Sequence, residues 1–288
     1  MGVLGSLLRG AYRLRSTLIM VGVPAFVVAS LLDAPGWLLG VIALVVAIGV
    51  LLGFVRPVEP PDDPSRTVEP PVRGRWVALN SPSTKVPSHG VRDYGQAYAV
   101  DLALVPDGGK LDWGTGFARP EDVAGFGEVV HAMVSGEVVR VSDWRRDHRC
   151  RTSKPALVYM FLEGLIRSYG GPGWVIGNHV VIRSDADGAF ALVAHLRRGS
   201  ACVRVGQAVR AGERIGECGN SGNTTVPHVH AQLMDRASAA TAQGLPLRLR
   251  GVTVERPDRE LLPGLTPGTV GTRYPGVPAD GELLVSAQ

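Results

Sequence analysis

Residues 219–235 read GNSGNTTVPHVHAQLMD. A glycine- and asparagine-rich turn leads through Pro227 into His228, Val229 and His230, and apolar residues follow at Ala231, Leu233 and Met234. If PHVHAQLM is a strand, alternate side chains share a face about 6–7 Å apart, so both imidazoles project into one space and Val229 turns away. A helix would part them, because positions i and i+2 do not share a helical face. An imidazole bound about 2 Å from a zinc ion leaves its neighbour facing the metal's open side, where water or substrate sits. The pair reads as one metal ligand and one acid–base group carried on a strand.

The neighbouring sequence has the same texture. QAYAVDLALV (96–105), EVVHAMVSGEVVRVS (128–142), NHVVIRS (178–184), AFALVAHL (189–196) and VRVGQAVRAGERIGECG (203–219) are short apolar runs broken by glycine. They predict a mostly β, antiparallel domain. SDADG at 184–188 has turn chemistry between two alternating runs and predicts a hairpin. SKPALVYMFLEGLIRSYGG (153–171) is apolar over too many consecutive residues for a surface strand. With Ser153 as cap and Gly170 and Gly171 closing it, it predicts one inserted helix.

The 45% hydrophobic content with only 6% aromatic fits a globular domain carrying additional apolar sequence, and that addition is at the N-terminus. No charge falls at 16–32 or at 34–55, about 17 and 22 residues on either side of DAPG. The second run is long enough to span a bilayer; the first is at the lower limit and contains Gly22 and Pro24. The expected layout is a basic tail at 1–15, a membrane-anchoring hydrophobic helical hairpin at 16–56, a proline-rich linker at 57–73, a β domain at 74–256 and a Pro/Gly-rich, loosely packed tail at 257–288. Arg9, Arg13 and Arg15, with no acidic neighbour, argue for a cytoplasmic N-terminus. One crossing then puts the domain outside the cell and two return it to the cytoplasm. The net charge of +4 includes those three arginines, so the remainder is nearly balanced and gives no nucleic-acid signature. Cys150, Cys202 and Cys218 form no CxxC pair and suggest no thiolate metal cluster.

A zinc site with an open position needs three protein ligands. Besides the PHVH pair, the sequence offers His89, His131, His148, His179, His195 and the carboxylates, and no HExxH occurs. A histidine is therefore the natural proton acceptor.

SHGVRDYGQAYAVDLAL (88–104), GEVVHAMVSGEVVRV (127–141) and the run from ALVAHL to PHVHAQLMD (191–235) resemble the M23 family of zinc metallopeptidases, the LytM or lysostaphin-type peptidoglycan endopeptidases. The resemblance covers roughly residues 75–256. It implies an antiparallel sandwich or barrel-like peptidase domain, one Zn2+ ligated by His89, Asp101 and His230, and His195 and His228 as catalytic histidines. It further implies a peptidoglycan peptide substrate; together with the apolar anchor, the expected location is the bacterial cell membrane with the domain outside, a side that the charge pattern alone leaves open. The family's first motif has histidine and aspartate four apart, whereas His89 and Asp101 are twelve apart and Asp93 stands at the four-residue position. Asp101 is preferred because YAVDLAL alternates like a strand, while RDYGQ around Asp93 reads as a turn. His131 is expected to be structural, His179 to point away from the metal, His148 to sit in a charged, solvated loop, and Cys218 to be a buried thiol. GNSGNTT lacks a phosphate loop's GK[ST] ending and is expected to let the backbone approach substrate. Two other readings fit the same residues: a membrane-tethered zinc-binding regulator of wall hydrolases that cuts nothing, and a peptidase acting on proteins or peptides.

Overall fold

The computed structural model describes residues 3–54, 66–271 and 274–287. The chain divides into two compact units, residues 1–61 and 62–288.

The first unit is a pair of helices, α1 (Val3–Leu31) and α2 (Gly36–Leu52), joined by a turn in which Asp33 takes a positive φ of 51°. Glycines let them close on each other: a Cβ added at Gly22 would lie 2.6 Å from Val46, and one at Gly49 would lie 2.9 Å from Ile19. α1 runs back through the basic tail, so the expected boundary at residue 15 falls inside a helix. Its segment Gly10–Leu31, 22 residues, is long and apolar enough to cross a membrane, whereas α2 has 17 residues. This reverses the expected order of the two runs, because the turn at 32–35 and the turn at 53–54 shorten the second.

The second unit is mostly antiparallel β-structure. Its strands are β1 (Arg66–Val68), β2 (Gly74–Asn80), β3 (Val100–Leu104), β4 (Val129–His131), β5 (Gly136–Ser142), β6 (Asn178–Ser184), β7 (Phe190–Leu196), β8 (Ala208–Val209), β9 (Arg214–Glu217), β10 (Val229–Met234), β11 (Gly244–Leu245), β12 (Leu247–Leu249), β13 (Val252–Glu255) and β14 (Leu283–Ser286). The main sheet runs β13-β14-β2-β3-β10-β7-β6-β5-β8, with β11 added on β10; β4 pairs with β9 and β1 with β12. The 184–188 turn does join β6 to β7 as an antiparallel hairpin. Helices α3 (Lys154–Tyr169) and α4 (Pro172–Ile176) interrupt the sheet between β5 and β6, and Ser153 caps α3 by accepting from Ala156 N.

Alternation along the central strands sorts the side chains by face. Val100 and Leu102 on β3, Val229, Ala231 and Leu233 on β10, Ala191 and Val193 on β7, and Val180 and Ile182 on β6 form the main core on one face. The opposite face carries Asp101 on β3 and His230 and Gln232 on β10, with smaller apolar clusters to either side built on Leu192, Ala194 and Met234 and on Val77 and Ala103. The sheet therefore supplies a dry floor beneath a polar centre.

Two expected boundaries change. Of the linker at 57–73, residues 57–65 lie outside the described residues, and the rest belongs to the fold: Arg66–Val68 pairs in parallel with Leu247–Leu249, and Val68 and Val72 are buried. The expected loose tail ends in β14, hydrogen-bonded between β13 and β2, with Val277, Ala279, Leu283 and Leu284 buried. Proline and glycine made 257–282 read as tail; the short apolar LLV that follows is what the sheet captures. Leu284→Ala should therefore lower the unfolding free energy by about 2–5 kcal/mol, read as a fall in the urea midpoint of the β circular-dichroism signal. An unchanged midpoint would contradict the buried position.

Candidate metal centre

Asp101 and His230 are direct partners across the β3–β10 ladder, and Ala194 of β7 is the partner of His230 on the other side. Cross-strand partners point the same way, so the carboxylate and the imidazole meet: His230 Nδ1 lies 2.8 Å from Asp101 Oδ1. His89, from the loop after β2, brings Nε2 to 2.9 Å from Asp101 Oδ2. The three ligating atoms all lie within 4.8 Å of one another. A tetrahedral zinc ion with bonds of about 2.0–2.1 Å needs ligand atoms roughly 3.3 Å apart, so two nitrogens and one carboxylate oxygen here suit such an ion in both spacing and chemistry. Asp93, the alternative carboxylate, lies outside this group, in a short 3-10 helix.

His228 and His195 complete a cluster of four imidazoles. His228 precedes β10 and shares a face with His230, and its Nε2 is 3.8 Å from Asp101 Oδ1. His195 reaches the same space by a different route. Ala194 already occupies the site face of β7, so regular alternation would send His195 into the opposite face. Instead β6 pairs Asn178 with Leu196 and His179 with Ala194, leaving His195 as a bulge with a φ of 62°. That left-handed backbone is costly for a non-glycine residue, on the order of 1–3 kcal/mol, and it turns the ring to 4.8 Å from His228 and 5.7 Å from His230.

Backbone carbonyls choose the tautomers. His195 Nδ1 donates to the Ser221 carbonyl and His228 Nδ1 to the Val226 carbonyl, both at 2.8 Å, so each Nε2 keeps its lone pair. His230 Nε2 donates to Gln232 Oε1 at 2.7 Å, which frees Nδ1 for a metal. The amide of Gln232 is oriented in turn by donating to the Tyr94 carbonyl at 2.9 Å. Burial pushes His195 well below the ordinary histidine pKa, reinforced by His228 and His230, and it lowers His228 as well. Burial alone would raise Asp101, but His89, His228 and His230 outweigh it and hold the carboxyl well below its usual range. Asp101, His228 and His230 are nearly sealed, at 4–6% exposure. They form the floor of a cleft of about 430 Å3 walled by Trp113, Met160, Ile176, Asn223 and Leu265.

Three residues of this centre escaped the sequence reading. Asn80 donates to Asp101 Oδ2 at 2.8 Å, brought opposite it by a bulge at Leu79. Ser88 Oγ contacts His89 Nδ1 at 2.9 Å. Gln232 was visible in principle, since HxHxQ continues the alternation of PHVHAQ. The other histidines stay out of the cluster. His131 lies on β4. His148 is half-buried: it is held by the Gly222 carbonyl and Thr224 Oγ1, and burial pulls its pKa down to about 4. His179 is corrected in direction, because it shares its strand face with Val181, which packs with Met234 on the site side; its Nδ1 donates to the Gly177 carbonyl. Cys218 is fully buried, which raises its thiol pKa. The GNSGNTT loop also braces the site: Ser221 anchors Asn178 N and the Leu196 carbonyl and orients His195, while Asn223 and Thr224 line the cleft. Gly222, with φ 87°, allows the close approach, since a Cβ there would sit 2.5 Å from the Val175 carbonyl oxygen.

Among solved structures, the solution structure of lysostaphin is 25% identical over 51% of this chain and 40% of that chain, with a TM-score of 0.29. The catalytic domain of the antimicrobial peptidase lysostaphin from Staphylococcus simulans is 20% identical over 60% of this chain and 88% of that one, with a TM-score of 0.33. A zinc containing peptidase from Vibrio cholerae is 19% identical over 62% and 39%, at 0.33. This chain thus spans less than half the length of the first and third and most of the isolated catalytic domain. The family model described as peptidase family M23 matches residues 121–242, a stretch that contains His195, His228 and His230 and begins after His89 and Asp101. Residues 121–242 of this chain thus match the model of peptidase family M23.

Proposed function

We propose that this protein is a membrane-anchored zinc metallopeptidase that hydrolyses peptide bonds in peptidoglycan stem peptides or cross-bridges, with its domain on the outer side of the bacterial cell membrane. The observation that carries the reading is one carboxylate and two imidazoles within metal-binding distance of each other, faced by two further imidazoles whose free Nε2 atoms are set by backbone carbonyls. The family match over 121–242 supports it.

In this reading His89 through Nε2, Asp101, and His230 through Nδ1 hold the ion. When bound, Zn2+ supplies a Lewis acid that polarises the scissile carbonyl and makes water a nucleophile near neutral pH. The chain's own residues do the proton work. His195 and His228 stay neutral in their buried surroundings, so Nε2 of either accepts a proton from the attacking water. The imidazolium formed then donates from Nε2 to the developing oxyanion and finally to the leaving amine nitrogen. Gln232 and Asn80 keep His230 and Asp101 aimed at the ion. The apolar wall of Trp113, Met160 and Leu265 limits water around the bond being cut.

His230→Ala and Asp101→Ala should abolish zinc retention, while Asp93→Ala should keep about one zinc per chain, measured by elemental analysis of purified protein. His195→Ala should retain the metal and lose roughly 10²–10⁴-fold in kcat; zinc loss equal to that of His230→Ala would overturn the division of roles. The purified full chain should generate new free amino groups in isolated sacculi, one for each peptide bond hydrolysed, and a chelator should stop it until zinc is restored. Cleavage of proteins or free peptides with intact sacculi would redirect the substrate assignment. Zinc binding with no hydrolysis of either would favour a non-catalytic regulator of wall hydrolases.

A further inference from the structure

Helix α3 wears its polarity inside out. Ala156, Met160, Glu163, Gly164 and Arg167 turn toward the domain at helical spacing: Ala156 is buried, Met160 lines the metal cleft and Gly164 packs against Asn223. The helix's interior charges go with them. Glu163 pairs with Arg151 and, at 3.0 Å, with Arg167. The opposite face presents Val158, Phe161, Leu162, Leu165, Ile166 and Tyr169, each 51–73% exposed, and beyond Lys154 at the first position no charged side chain shares it. So large a contiguous apolar face marks a surface that something covers.

The border of this face identifies the occupant. Trp144 and Trp174, 59% and 43% exposed, meet edge to face at 5.8 Å. The Arg145 guanidinium lies 4.4 Å from one ring and 5.3 Å from the other. Arg146 and Arg198, both exposed, line the same groove, and its one carboxylate, Glu163, is already paired. Apolar residues rimmed by tryptophans and by arginines, with the nearby Asp143 and Asp147 turned to the backbone N–H groups of Arg198, Gly199 and Ala201, suit the acyl-headgroup boundary of an acidic bilayer, where indole rings and guanidinium groups lie at phosphate depth. A protein partner would be met by a rim of both signs. The chain also carries a membrane-length apolar segment in α1.

We propose that α3, together with Trp144 and Trp174, docks flat on a bilayer containing anionic phospholipid. Val158, Phe161, Leu165 and Ile166 enter the acyl boundary, and Arg145, Arg146 and Arg198 meet lipid phosphates. Because the other side of α3 supplies Met160 to the cleft wall, docking holds that wall beside the membrane surface and selects substrates presented there. This surface stands whether or not the cleft is a peptidase.

The test is a nitroxide at Phe161→Cys in the full chain with Cys202→Ser, the two other cysteines being buried, and a control label at the exposed Arg183→Cys. The chain is reconstituted into phosphatidylcholine vesicles with and without phosphatidylglycerol, and each label's accessibility to oxygen and to a water-soluble nickel chelate is measured. With phosphatidylglycerol, the label at 161 should be oxygen-accessible and shielded from nickel, while the label at 183 stays water-exposed. Arg146→Glu with Arg198→Glu should reverse this, lowering the docked-to-free ratio roughly five-fold for each arginine removed. Equal nickel access at 161 and 183 would overturn the proposal, as would shielding at 161 indifferent to phosphatidylglycerol and to the arginines. Spin–spin broadening at 161 in detergent and vesicles alike would overturn it in favour of a second copy covering the face.

Discussion

The site is organised around one buried carboxylate. Asp101 sits at 4% exposure in the middle of a sheet whose far face is the main apolar core, so its charge is tolerable only because donors surround it. His89, Asn80 and His230 contact its two oxygens at 2.8–2.9 Å, and the ring of His228 stands 3.8 Å away. They come from the strand before Asp101, the loop joining the two, and the strand paired on its other side. Removing the carboxylate would leave the His89, Asn80 and His230 side chains without the group they share, and removing those side chains would leave a buried anion. The same mutual dependence makes the cluster a receptive place for a divalent cation, which two neutral nitrogens and one carboxylate would hold.

Two departures from regular strand geometry bring the rest of the chemistry to that point. The bulge at Leu79 sets Asn80 opposite Asp101, and the bulge at His195 turns a residue that alternation assigns to the core face into the site. The positive φ at His195 is held by its surroundings: its ring is fixed by the Ser221 carbonyl, and Ser221 is itself tied to both Asn178 and Leu196. Glycine is needed at 222 because the loop backbone there runs against Val175 of α4 and Gly177 before β6 with no room for a Cβ. Local strain and loop composition are thus two parts of one arrangement that aims a neutral Nε2 across the cleft.

The helix inserted between β5 and β6 faces two environments. Inward it closes one side of the cleft through Met160 and buries its charges as ion pairs; outward it is apolar, with an aromatic and arginine border. An ordinary surface helix distributes these properties the other way. A segment of this kind ties the position of the cleft wall to whatever medium covers the outer face.

Much of this was legible in the linear sequence. PHVH implied a strand with two imidazoles on one face, because the period of two is local geometry, and YAVDLAL implied that Asp101 is a strand residue for the same reason. Ser153 and the double glycine bracketed α3 correctly, since caps are local too. The order of strands was not legible. Nothing in LLV at 283–285 says that it will insert between β13 and β2, or that Arg66–Val68 will pair with a segment some 180 residues away, because such pairing depends on register and burial across the whole domain. Nor could the sequence assign Asn80 and Ser88 to the carboxylate and histidine they support, turn His195 out of its strand's alternation, or tell which face of α3 would be left bare. Side-chain periodicity and capping are fixed within a few residues, so the sequence by itself determined most of the elements and singled out the histidines and the carboxylate that gather on the sheet. Which of those residues meet, in which tautomer and on which side of the sheet, follows from contacts between distant segments, and only the tertiary structure decided them.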